Sequence, residues 1–152
     1  MSYTTAEGRE QVLGDLAVAI EQIAESLAAL GEAYEQLDEQ TADVLEEQLF
    51  RPVQRAYGRA QRTYTEFASR SNLRSRTFEA HTPGAQSQSV QALIERGVDG
   101  AQDADQAIAD LQDSMLPVEV GDPELRAGLS AVRETLSSVQ LRARDLMRTV
   151  GR

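Results

Sequence analysis

The 152-residue sequence predicts an all-α protein, an antiparallel up-down-up-down four-helix bundle with helices over residues 4–37, 41–71, 88–115 and 123–150. Three observations predict it. Apolar residues recur at alternating spacings of three and four, which puts them on one stripe of a helix. Helix-starting residues stand just before these stripes. The two C-terminal stripes each cover about 28 residues, roughly 42 Å of helix, and a turn near residue 39 gives the N-terminal pair matching lengths.

The first helix opens at Thr4-Thr5-Ala6-Glu7, a capping box in which the hydroxyl serves an orphan amide and the carboxylate reaches back. Leu13, Leu16, Ile20, Ile23, Leu27, Leu30, Tyr34 and Leu37 form its seam, with Glu10, Glu21, Glu25, Glu32 and Glu35 on the opposite side. The second helix follows a turn at about 37–41, with Asp38 or Thr41 as cap. Its stripe is Leu45, Leu49, Val53, Ala56, Ala60, Tyr64 and Phe67, ending near Ser71. No Gly or Pro marks that turn, so a competing reading runs one helix through to about Phe50 and breaks it at Pro52. A kink is expected at Pro52, which loses a hydrogen bond and clashes with the preceding turn.

The third helix starts near Ser87 or Ser89, after the Pro83-Gly84 break, and stops near Met115, before Leu116-Pro117. Its stripe is Leu93, Ile94, Val98, Ala101, Ala104, Ile108, Leu111 and Met115. Gly97, Ala101 and Ala104 make its middle slender, so a neighbour can approach closely there. The fourth helix begins at Asp122-Pro123, an N-cap followed by proline where its missing amide costs nothing. Leu125, Leu129, Val132, Leu136, Val139, Ala143, Leu146 and Val150 continue the seam, and Gly151 closes it. Residues 1–152 read as one domain, with a polar, Ser-rich and mobile linker at about 71–87.

Net charge is −10 with a pI near 4.6, which disfavours generic binding to nucleic acid or anionic lipid. All 15 basic residues are arginine, a pattern expected of GC-rich coding. Residues 1–50 carry −11, 51–80 carry +5, 81–123 carry −7 and 124–152 carry +3. In an up-down-up-down order, sequential neighbours therefore carry opposite charge and diagonal partners like charge.

Chemistry finds little footing. The absence of Cys removes disulfide scaffolds, thiolate zinc sites, Fe–S clusters and cysteine nucleophiles. No apolar run approaches the roughly 20 residues that span a bilayer, and Met1 to Glu10 lacks the pattern of a signal peptide; a cytoplasmic protein is expected. Di-iron bundles need inward Glu-x-x-His pairs, and here the one histidine, His81, sits in the linker beside Glu79 and reads as solvated. No seam residue of the first or last helix is charged. Ser69, Ser71, Ser75, Ser87 and Ser89 have no nucleophile elbow. Asp99, Asp103, Asp105, Asp110 and Asp113 read as a solvated helix face, since calcium sites need a loop that folds oxygens around one ion. No cofactor or metal is expected.

Arginine gives the sharpest local feature. Arg51, Arg55, Arg59 and Arg62 fall within about 80° of one another on a helical wheel, nearly opposite Val53, Ala60 and Phe67. Arg70, Arg74 and Arg76 extend the basic region, with Tyr57 and Tyr64 nearby. The stripe is a candidate anion- or partner-binding surface, although answering the acidic first and third helices is its simpler use. The sequence thus reads as a non-catalytic bundle acting through protein–protein contacts or self-association. The alternative is a small-ligand or anion-binding bundle using the arginine stripe or a pocket near Gly97 and Ala101.

Overall fold

The computed structural model describes residues 5–82 and 88–150. The expected cap at Thr4, the Pro83-Gly84 break, Ser87 and Gly151 lie outside them, as does the side chain of Val150. The fold is all-α, with helices joined by irregular segments and no strand among the described residues. Five α-helices of seven residues or more are present: α1 (Thr5–Gln36), α2 (Glu39–Leu45), α3 (Arg51–Arg70), α4 (Val90–Asp113) and α6 (Pro123–Val150). A π segment (Glu46–Phe50) joins α2 to α3, and a single turn, α5 (Leu116–Glu119), precedes α6.

The first turn falls where the sequence puts it. Asp38 is extended at φ −62°, ψ 157°, and its carboxylate accepts from the Thr41 N–H at 3.1 Å. The side-chain and backbone bonds at Thr41 hold the Asp38 carboxyl below the usual carboxylate range. The reading with one helix running to Phe50 is therefore displaced. The disturbance expected at Pro52 takes the form of the π segment just before it. There the Arg51 N–H reaches back five residues to the Glu46 carbonyl, and helical dihedrals continue from Leu45 into Arg51. Pro52 and Val53 stay buried. Ser89 caps α4 by accepting from the Ala92 N–H at 3.1 Å, and Asp122 caps α6 through the Leu125 N–H at 2.9 Å.

The predicted stripes of α3, α4 and α6 are buried with few exceptions. Met115 is one, because it adopts φ +67° at the end of α4 and is 52% exposed. On α1, Tyr34 is exposed, and Val12, Ala19, Ala29 and Ala33 join the buried set. That wider stripe follows from α1 touching both α3 and α4.

The pairing of helices departs from the expected order. The closest-packed pairs are α1 with α4 and α3 with α6. A Cβ at Gly97 would lie 2.6 Å from Leu30, and one at Gly100 would lie 3.1 Å from Ser26 and 3.3 Å from the Gln22 carbonyl. Numbers fall along α1 as they rise along α4, so the two are antiparallel. Likewise Arg70 meets Asp122 and Glu124 while Thr63 meets Gly128, so α3 and α6 are antiparallel. Since α3 returns beside α1 after the Asp38 turn, α3 and α4 run the same way. The up-down-up-down order is corrected by this geometry. The end of α3 and the start of α4 therefore lie at opposite ends of the helices, roughly the 36 Å length of α4 apart.

Charge follows a different rule from the one expected. Helix α1 has seven acidic residues and one arginine, and α4 has six and one; α3 has five arginines and one glutamate. The two acidic helices pack against each other, and α3 packs against α6, which carries five arginines and three acidic residues. Magnitude explains the outcome. Like charges on exposed flanks cost a few tenths of a kcal/mol per pair, whereas burying one Leu or Ile side chain contributes about 1.5–3 kcal/mol. The small residues Gly97, Gly100, Ala101 and Ala104 let Ser26 and Leu30 of α1 come close, and that packing decides the partner.

Three substitutions test this packing and its ion pairs. Gly58 is exposed in α3 with nothing within 4 Å of a new Cβ, so Gly58→Ala should stabilise by about 0.5–1 kcal/mol in urea unfolding. Gly97→Ala should destabilise by about 1–3 kcal/mol, because Leu30 is buried and cannot retreat. The third concerns the clasp between α3 and α6, where Arg70 Nε and Nη2 donate to Asp122 at 2.8 and 2.9 Å. Burial raises the Asp122 carboxyl, and the bonds from Arg70 and the Leu125 N–H outweigh it, leaving the group below its ordinary value. Its stabilisation is present above the unfolded pKa near 3.9 and lost as pH falls through the lower folded value. Asp122→Asn should cost on the order of 1 kcal/mol at pH 7, a cost that shrinks as pH falls through the folded value.

Candidate functional site

Helix α3 carries the arginine stripe on the side away from Val53, Ala60 and Phe67, all of which are buried. Arg55 and Arg62 are exposed, and Arg51 is 60% exposed with a long 3.8 Å contact to Glu46, five residues back on its own rod. Arg59 is half-buried, and its Nε is buried with no hydrogen-bond partner. None of the four makes an ion pair with α1 or α4 among the described residues. Answering the acidic helices is thus not what holds them. The basic extension is divided: Arg70 is spent on Asp122 and Glu124, Arg76 on Glu21, and Arg74 stays exposed.

The second cluster was not anticipated. The described part of the segment expected to be mobile, residues 71–82, is fastened across α1 and α3. Both oxygens of Glu21 are engaged: Arg76 Nη2 donates to Oε1 at 2.5 Å, and His81 Nε2 lies 2.6 Å from Oε2. The Arg76 guanidinium sits 4.4 Å over the Phe78 ring, and Phe78 meets Tyr64 edge-on at 5.2 Å. Leu73 and Phe78 pack against the core. His81 is therefore partnered and 30% exposed, not a solvated loop residue, and its partner is Glu21 rather than Glu79. Nearby, burial and then the Glu21 charge push the Tyr57 hydroxyl above its ordinary value. The two contacts make Glu21 the anchor of the crossing segment. The sequence held one sign of this cluster: Leu73 and Phe78 are the only large apolar residues in an otherwise polar stretch, and such residues dock.

The remaining candidates stay apart. The polar residues buried in the described core are Ser26 and Thr63, which donate to the Gly97 carbonyl at 2.5 Å and the Arg59 carbonyl at 2.8 Å. Ser89 is a cap; Ser69 and Ser75 are exposed; Ser87 is outside the described residues. Asp105 pairs with Arg133 at 3.0 Å, and Asp99, Asp103, Asp110 and Asp113 are exposed. Among the described residues no three His, Cys, Asp or Glu side chains converge as metal ligands, and no helix is long and apolar enough to cross a membrane. Leu30 and Ser26 occupy the space over Gly97, and the cleft beside this stretch of α4, about 750 Å³, opens instead toward α6, lined by Val98, Asp99, Gln102, Ala143 and Met147.

Comparison of the chain with protein-family models, curated proteins and solved structures finds no match.

Replacing Glu21 by Ala should release the crossing segment: amide exchange across residues 73–82 should accelerate, while global stability falls by no more than about 1 kcal/mol. Unchanged exchange in that stretch would show that the clasp at Glu21 holds nothing.

Proposed function

We propose that the chain is a non-catalytic four-helix bundle, with α2, the π segment and α3 counted as one rod, that acts through protein–protein contacts. The supporting observation is the separation of charge by face. Acidic α1 and α4 lie together, and Arg51, Arg55, Arg59 and Arg62 of α3 make no ion pair with another helix among the described residues. A surface of this kind docks an acidic face of a partner, including the α1/α4 face of a second copy, and speeds encounter electrostatically. Contact between two different faces of identical chains is heterologous and extends head to tail unless it closes into a ring. A core whose described polar members are Ser26 and Thr63, each bonded to backbone, supports a role without chemistry inside the bundle.

A second reading has its own observation. The buried, unpartnered Nε of Arg59 lies within the stripe Arg51, Arg55, Arg59 and Arg62, and a guanidinium so placed is a donor for a planar oxyanion. The net charge of −10 still disfavours nucleic acid.

Sedimentation velocity at low and high salt tests the first reading. Assemblies are expected at about 10 mM salt, where screening reaches out to roughly 30 Å, and should dissolve at about 1 M, where it shrinks to roughly 3 Å. Substituting the four arginines by Gln should abolish low-salt assembly with the helix content unchanged. A monomer at every salt and concentration contradicts self-association, and capture on heparin by the wild type alone would favour the anion reading.

A further inference from the structure

A cleft of about 500 Å³ opens between α1 and the rod of the π segment and α3, away from the arginine stripe. Leu27, Ala28, Gly31 and Phe50 give it an apolar floor, and Glu32 and Glu35 stand on its α1 rim. Tyr57 and His81 line its wall. A smaller adjoining hollow of about 260 Å³ shares Gly31, Glu35 and Phe50 and adds Tyr34 and Glu46. The combined volume lies within the range of small-molecule sites, which join an apolar lining to a few placed polar groups.

We infer that this cleft binds a small organic cation with an apolar body. Its carboxylates set the sign of charge. Glu32 accepts only a 3.3 Å bond from Gln36, no cation within the described residues pairs with Glu35, and Arg51 approaches Glu46 no closer than 3.8 Å. An anion would meet these three carboxylates, and a neutral apolar ligand would desolvate them without return. Aromatic rings beside carboxylates are what an alkylated ammonium needs, because ring faces attract cations and the methyl groups bury on the floor. A metal ion fits poorly, since its ligands must converge and the rings supply no oxygen.

One further feature opens the same space. Gly31 sits within a 32-residue helix, where glycine is unfavourable. A Cβ there would lie 3.9 Å from the Phe50 ring, an ordinary contact, so its missing side chain is what leaves room over the ring. Glu32 and Glu35 count among the acidic residues of α1, but the site needs no partner face and does not depend on the proposed function.

The test is titration of the ¹⁵N-labelled chain with benzyltrimethylammonium and, separately, with phenylacetate, an aromatic probe of opposite charge. Saturable shifts confined to Gly31, Phe50, Tyr57 and their neighbours are expected with the cation alone. Gly31→Leu should fill the cleft and abolish them. The double variant Glu32→Gln, Glu35→Gln should weaken binding at least about tenfold with an unchanged melting temperature, and it keeps the question open to refutation should Gly31→Leu not fold. Equal response to both probes, shifts scattered over α1 and α4, or wild-type affinity in the double variant would overturn the site. Tighter binding of N-acetylarginine amide than of the quaternary ammonium would assign the cleft to a protein side chain and overturn the small-molecule reading.

Discussion

The close approach of α1 and α4 governs the rest of the structure. Ser26 donates to the Gly97 carbonyl at 2.5 Å, and Leu30 occupies the space that a side chain at position 97 would need. A serine buried between two helices keeps its place only because a helix carbonyl accepts from it, and α4 can present that carbonyl only where glycine strips away its cover. With α4 seated against α1, helix α3 is left to pair with α6. The end of α3 and the start of α4 then lie at opposite ends of the molecule, and residues 71–82 cross α1 and α3. Both the crossing segment and the separation of charge descend from this one contact.

That separation has a physical logic. A helix pair gains most from shape, and charge is tolerated wherever water can reach it. The acidic residues of α1 and α4 stand on outer flanks, while the seam between the helices holds small and branched side chains. The cost of gathering like charges on one face is spread thinly over solvated carboxylates, and it leaves a surface with direction: negative where α1 meets α4, positive along α3. The Glu21 clasp ties the crossing segment to the acidic side with the arginine at 76, so part of the basic charge of residues 71–82 is neutralised within the molecule.

Much of the fold was legible in the sequence because it is written in local terms. The caps at Asp38, Ser89 and Asp122 and the seam of α6 from Leu125 to Leu146 need only the rules of helix ends and helix faces. The π segment was legible only as trouble at Pro52, since the proline marks a missing amide without saying how the backbone absorbs it. Pairing was not legible. Gly97 and Ala101 announced a close neighbour, but the choice between α1 and α3 as that neighbour depends on Ser26, which reads as an ordinary helix-surface residue until a partner covers it. The arginine stripe was visible by period alone. The Glu21 cluster and the cleft were not, because their residues come from stretches 55 or more positions apart or from opposite walls that only the packing brings together.

The most direct check on this account is a nuclear Overhauser measurement on methyl-labelled protein. Cross-peaks from the Leu30 methyls to the Gly97 α-protons, together with cross-peaks from the Thr63 methyl to Gly128, are the predicted result. Cross-peaks linking Ala60 and Thr63 to the middle of α4, with none between Leu30 and Gly97, would place α3 beside α4 and contradict it.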